Sequence, residues 1–401
     1  MKRAICMAVI VFLGICVCAC GKGGPSVTSE PESTAASVSG QASGEEKEIS
    51  SDRAFSMAEE IVADMSLEEK IGQMFMVHLS QLDGSHTEDG NQFAATDKMC
   101  RLLHEYNIGG VYFTSNNIAN EKQTRKLAKN LQASVSGGAL YLAVEEEGEE
   151  GSLLASRVEA REKTASKEQD LADAQTVRLA KAFSGVGVNL NLSPVADVAS
   201  EANPEYARRC LGSDADTVID RMEGFIREMN LGGIGTTLKY FPGIANVPGN
   251  PAVELLENKD SLMTLRNTNF VTYQAGIRAG ADAVMMGSVS VSKVTINKVP
   301  AFLSEEIVTN LLREELGFGG VILTPFLDEP LIRDKYTSGF VAVEAVKAGC
   351  DMLLMPYDWQ ESYEAVLAAV RRGDINEKVI NTAVQRILQN KIQRGILVVE
   401  E

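Results

Sequence analysis

From about Arg53 onward, short apolar runs alternate with amphipathic stretches. The apolar runs are Gln73–Val77, Gly110–Phe113, Leu140–Val144, Val188–Leu192, Gly233–Thr237, Ala283–Met286, Gly320–Leu323 and Asp351–Met355. Runs this short, apolar at consecutive rather than alternate positions, read as parallel strands buried on both faces. Between them lie stretches with helical spacing: Glu121–Ser134, Glu168–Phe183, Asp214–Met229, Leu262–Ala279, Ser304–Leu316, Phe340–Lys347 and Glu361–Arg372. Two helices precede the pattern. The first is Ala54–Met65; the second starts at Ser66, where Glu69 three residues on completes a capping box. A last helix, Asn376–Arg394, carries Val379, Ile380, Ala383, Ile387 and Leu388 and is expected on an outer ring. Eight β/α alternations over about 350 residues predict an α/β fold closed as one (β/α)8 TIM-type barrel. An open doubly wound sheet is the other arrangement this alternation allows.

The first residues have a different character. Lys2 and Arg3 precede an apolar stretch, Ala4–Val17, too short for a comfortable transmembrane helix and of signal-peptide length. It ends in Val17-Cys18-Ala19-Cys20, which resembles the lipobox of bacterial lipoproteins, with Cys20 as the residue to be lipidated. A plain secretory signal with incidental cysteines is the alternative. Lipidation would anchor the chain to the membrane at the extracytoplasmic face, since two acyl chains suffice for stable anchoring. Gly21 to about residue 54 is rich in Ser, Gly, Glu, Ala and Thr and poor in large apolar residues, the composition of a disordered tether. As a flexible coil it would reach on the order of 30 Å. The expected division is therefore 1–20 signal peptide, 21–54 tether and 55–401 barrel.

The formal net charge of −17 becomes −19 once Lys2 and Arg3 are removed with the signal. Such an acidic chain is a poor partner for nucleic acid or anionic lipid, which leaves the anchor as the membrane contact. Of the seven cysteines, Cys6, Cys16 and Cys18 would leave with the signal. Cys100, Cys210 and Cys350 are widely spaced, show no disulfide or metal-ligand pattern, and read as buried thiols. Isolated pairs such as Gly232-Gly233 read as strand entries rather than phosphate loops. No cofactor is expected.

Seven stretches, in order, resemble glycoside hydrolase family 3, in particular its single-domain bacterial β-N-acetylglucosaminidase branch. They are Met65–Val77, Gly109–Val111, Ser193–Val198, Arg209–Asp214, Lys239–Gly243, Leu311–Phe318 and Ala348–Met355. The resemblance covers residues 55–400. It implies a barrel whose C-terminal rim binds a terminal sugar and a retaining mechanism. An Asp after the seventh strand attacks the anomeric carbon, and a His–Asp pair on the loop after the fifth strand protonates the leaving oxygen.

At these positions the chain departs from the pattern. After the seventh strand Thr324 is kept, but Pro325 stands where the nucleophile belongs. Asp328 and Glu329 are the nearest substitutes. The fifth-strand loop reads Lys239-Tyr240-Phe241-Pro242-Gly243-Ile244-Ala245-Asn246, with no histidine where the family has several. The only histidines are His78, His86 and His104; His78, at the end of the first strand, reads as a structural or surface residue. After the third strand the family's Asp-Glu/Gln-Glu-Gly-Gly-Arg is Glu145-Glu146-Glu147-Gly148-Glu149-Glu150. These acids are either a new acidic or cation-binding mouth or a solvated loop, and their mutual repulsion is expected to raise some of their pKa values. Glu145, Asp197, Arg209 and Lys239 remain at positions where the resemblance implies contact with sugar hydroxyls. Asp197 is expected to orient Arg209 and Lys239, and the same residues could equally be a buried ion-pair network.

Three functions fit this sequence. The first is a catalytically impaired barrel that binds a glycan, such as an N-acetylated sugar, or a protein partner. The second is a working β-N-acetylhexosaminidase on cell-wall or other glycans, using displaced carboxylates. The third is a structural lipoprotein scaffold.

Overall fold

The computed structural model describes residues 49–83, 91–135, 139–147, 168–296 and 298–399, all within one unit, Glu48–Glu401. Each predicted apolar run forms a strand: β1 Phe75–His78, β2 Gly110–Tyr112, β3 Tyr141–Val144, β4 Leu190–Asn191, β5 Gly235–Phe241, β6 Ala283–Met286, β7 Val321–Phe326 and β8 Met352–Leu354. Every strand pairs in parallel with the next, and β8 returns to β1 with Leu353 opposite Phe75. The sheet is a closed barrel, so the open-sheet alternative is excluded. Every residue of β3 and of β6 is buried, because side chains fill the barrel on one face and helices cover the other.

Helices form where the spacing predicts them, with differences in detail. The Leu262–Ala279 stretch breaks at Thr268 (φ −120°, ψ −90°) into Leu262–Asn267 and Asn269–Arg278. Glu306–Glu315 is wound as a π-helix. A further helix, Asp97–Glu105, is capped by Thr96. The Ser66 capping box is present, with Glu69 N–H donating to Ser66 Oγ at 3.2 Å and Ser66 N–H to Glu69 Oε2 at 2.8 Å. A pair of short parallel strands, Leu256–Asn258 and Val289–Val291, lies outside the barrel sheet.

The first helix begins earlier than predicted, at Ser51. Ser50 caps it by accepting from Arg53 N–H, and Ala54 is buried. Residues 51–54 therefore belong to the folded domain and not to the tether. Cys20 and the signal peptide lie outside the described residues.

The last helix, Glu377–Gln393, differs from its expected place on the outer ring. Its C-terminal half lies under the strand N-termini. Lys391, fully buried, donates to Gln73 Oε1 (2.8 Å) and the Gly109 carbonyl (2.9 Å). Arg394, just beyond it, grips Asp282 at 2.5 and 2.8 Å. Arg386 and Arg313 both hold Asp351. These groups sit at the entries of β1, β2, β6 and β8 and close that end of the barrel. The other end, where the strand C-termini emerge, is left for chemistry.

Candidate functional site

Two carboxylates and two cations interlock at the C-terminal rim. Past β3, Glu145 and Glu147, two residues apart, turn their carboxylates to the same two cations. Asn191 of β4 fastens this segment through both the N–H (3.0 Å) and the carbonyl (2.9 Å) of Glu146. Lys239 of β5 is fully buried and reaches Glu145 at 2.5 Å and Glu147 at 2.7 Å. Arg209 follows the short helix Pro204–Ala207 and reaches the same two carboxylates at 2.7 and 2.6 Å. Tyr240 completes the cluster, accepting from Arg209 (2.9 Å) and donating to Glu145 (3.2 Å). The Arg209 guanidinium lies over the rings of Tyr206 and Tyr240. Burial alone would raise both glutamates, but Lys239 and Arg209 outweigh it and hold each below the ordinary range. The expected mutual repulsion of the acids therefore fails at these two, because cations stand between them. Glu149 and Glu150 lie outside the described residues.

Above the cluster opens a cavity of about 460 Å³. Glu145, Glu147, Arg209 and Tyr240 line it, together with Pro325, Phe326 and Glu329. Pro325 lies inside β7. It has no N–H to donate, and the β7–β8 register shifts beside it, between Met352 and Leu354. Thr324 Oγ1 accepts the Leu354 N–H at 2.9 Å there. Glu329 follows β7; its carbonyl accepts from the N–H groups of Ile332 (2.9 Å) and Arg333 (3.1 Å), while its carboxyl accepts no hydrogen bond from the described residues. Burial, then the charges of Asp328 and Glu145, push its carboxyl up to about 8. Burial raises Asp328 to about 6.

Asp197 has a different task from the one expected. It is fully buried, and its carboxylate makes no hydrogen bond or ion pair with Arg209 or Lys239. Its carboxylate instead accepts from the N–H groups of Ile244 (2.6 Å) and Ala245 (2.9 Å), with Asn269 and Tyr273 at 3.5 Å. It pins the loop after β5. Burial raises it to about 6 despite those donors. Gly243 in that loop has φ +117°, and a Cβ there would fall 1.6 Å from Asn269 Nδ2. His78 is held between Ser80 (2.6 Å) and Thr114 (3.1 Å), and burial lowers its pKa. It does not line the cavity, and no other described histidine does.

The sequence profile of the glycosyl hydrolase family 3 N-terminal domain matches residues 66–390. The chain belongs to that family. A β-hexosaminidase of Stenotrophomonas maltophilia (strain R551-3) is 32% identical over 209 residues, 51% of this chain and 60% of that protein. The chain thus spans less than two thirds of that relative. Among solved structures, a family 3 β-N-acetylglucosaminidase from Paenibacillus sp. str. FPU-7 superposes with a TM-score of 0.74 at 27% identity, over 84% of this chain and 65% of that one. A β-N-acetylhexosaminidase from Beutenbergia cavernae DSM 12333 gives 0.69 at 26% identity, over 83% and 99%.

Within this family 3 barrel, Glu145, Arg209 and Lys239 come together as one cluster, and Glu329 lines the same cavity; Asp328 is not among the lining residues. Asp197 stands behind the site. Two members were not singled out from the sequence. Glu147 was visible as the acid two positions past Glu145, the spacing that puts side chains on one face of an extended segment. Tyr240 was visible as the residue that follows Lys239 in place of histidine.

Proposed function

We propose that this family 3 barrel is a surface-anchored protein that binds the terminal hexosamine unit of a glycan without hydrolysing it. The observation that carries this reading is Pro325. It forms part of the cavity wall at the position where the resemblance calls for the attacking Asp, and a proline ring cannot form a glycosyl ester. The loop after β5 carries no histidine to protonate a leaving group. Nucleophile and acid act as a unit, so the absence of both is hard to reconcile with normal turnover. A cavity of about 460 Å³ has the size of a small-ligand pocket. The hexosaminidase names of its relatives support a hexosamine as the bound unit, and Val17–Cys20 with the segment after it support lipid anchoring at Cys20.

Glu329 favours the rival reading, a working hydrolase. Its carboxyl, pushed up to about 8, holds a proton at neutral pH as a general acid must. That reading lacks an unencumbered attacking carboxylate, since Lys239 and Arg209 engage both Glu145 and Glu147.

Saturation-transfer NMR with N,N′-diacetylchitobiose separates the two. Binding without cleavage gives transfer signals from an intact disaccharide over days, abolished in Arg209→Ala. Appearance of free monosaccharide, or no transfer at all, overturns the proposal.

A further inference from the structure

The carboxyl groups around the cavity outnumber its cations, and the excess bears on which hexosamine fits. Glu145, Glu147, Glu205, Glu329 and Arg209 line the cavity, with Lys239 directly behind the first two. That is four acids against two bases. Both bases are consumed within the wall: Lys239 and Arg209 each contact Glu145 and Glu147, and Arg209 also donates to Tyr240. Two acids are left over. The carboxyl groups of Glu205, exposed on the short helix beside Tyr206, and of Glu329, half-buried after β7, receive no hydrogen bond or ion pair from any described residue. Asp328, next to Glu329, adds a further negative charge.

We propose that this cavity selects hexosamines bearing a free, charged amine over their N-acetylated counterparts, with Glu329 as the principal group that receives the ammonium and Glu205 in support. The inference rests on the sugar-binding reading above and refines its ligand. An ammonium brings three donors and a positive charge to the Glu329 carboxyl; an acetamide brings one N–H and no charge. A divalent cation is a poorer match for the same charge. Among the described residues no group of three or more His, Cys, Asp or Glu is placed to hold a metal ion. Phe326 adds an aromatic ring to the lining, against which a sugar ring can lie.

The geometry has a proton consequence. Before binding, Glu329 is protonated near neutral pH, because it is buried beside like charge. An ammonium placed against it reverses that balance, so the carboxyl ionises and its proton leaves for the buffer.

Isothermal titration of the protein near pH 6, where the amine is fully charged, tests this with methyl β-glucosaminide and methyl β-N-acetylglucosaminide. The free amine is expected to bind at least about tenfold more tightly, equivalent to about 1.4 kcal/mol. Its heat should vary with the ionisation enthalpy of the buffer, showing proton release. Glu329→Gln should abolish the release and bring the two affinities within about threefold. Glu205→Gln should narrow the ratio between the two affinities, which keeps the test intact if the first variant folds poorly. Equal or tighter binding of the N-acetyl sugar refutes the selectivity and leaves the sugar-binding reading standing; a protonated Glu329 donating to the acetamide carbonyl would give that result. Failure of both sugars to bind overturns both.

Discussion

Lys239→Met asks whether the rim cluster is the charged network described above. The substitution keeps much of the side chain's length and removes the charge. Lys239 is fully buried, and its two partners keep only 20% and 17% side-chain exposure. Two carboxylates would then share Arg209 alone. Removing one partner of a buried pair costs about 3–5 kcal/mol. Because Arg209 remains and both glutamates touch solvent, the lower end, about 3 kcal/mol, is the expected loss. At about 2.1 cal/mol/K per residue over roughly 350 residues, the entropy of unfolding is near 0.7 kcal/mol/K, so Tm should fall by about 4 °C. The pH dependence gives the sharper test. In the wild type both glutamates are held below their ordinary range. Their contribution is therefore complete above the unfolded-state pKa and is lost as pH falls through the lowered folded values. In the variant, burial acts with less opposition and raises them, so acid relieves the variant while it weakens the wild type. The gap measured by circular dichroism should be widest near pH 7 and narrow towards pH 4. A loss under about 1 kcal/mol at pH 7, or a gap constant with pH, would refute the reasoning. Adding Glu147→Gln to the variant should recover part of the loss.

Other outcomes follow from single residues. Gly243→Ala forces an unfavourable φ and a clash with Asn269. It should destabilise the protein by more than about 1–3 kcal/mol and speed hydrogen exchange at Ile244 and Ala245; unchanged exchange would mean the loop is not held as described. Glu329 has its folded pKa raised above the unfolded value, so its contribution to stability falls as pH rises from about 4.5 through about 8. Glu329→Gln should match the wild type in Tm near pH 4.5 and exceed it at pH 9, and a variant less stable at pH 9 contradicts the assignment. Pro325→Asp alone should restore no turnover of aryl N-acetyl-β-glucosaminides, since the β5 loop still lacks its acid. Cys20→Ser should release the protein from membranes or leave it unprocessed; unaltered membrane partitioning would exclude lipidation there.

The barrel was legible because its strands are buried on both faces, which leaves consecutive apolar runs that few other structures produce. Boundaries were harder to read where tertiary partners extend an element. β5 runs on through Phe241 because Leu238 and Lys239 continue the ladder with Val284 and Met285 of β6, although Lys239 looks polar in sequence. The last helix was misplaced because its apolar positions describe only one face. The polar residues Arg386, Asn390, Lys391 and Arg394, which fix it under the barrel, read as solvent-facing until their partners on the strand entries are known. At the rim, position relative to the family pattern located Glu145, Arg209 and Lys239. It misjudged Asp197, whose backbone partners at Ile244 and Ala245 leave no trace in residue type. The effect of charge was also misread for Glu145 and Glu147: proximity in sequence suggests repulsion, whereas cations from two other segments neutralise both.

The central claim is that the cavity binds sugar and does not cleave it. Its most direct test is the release of nitrophenolate from 4-nitrophenyl N-acetyl-β-glucosaminide by the purified protein, followed from acid to alkaline pH. Such a leaving group needs little protonation, so the assay reports on the attacking group alone. The account predicts no release above the uncatalysed rate in the wild type and in Glu329→Gln alike. Steady release by the wild type, abolished by Asp328→Asn or Glu329→Gln, would contradict it and show that the catalytic carboxylate has moved along the β7 loop rather than been lost.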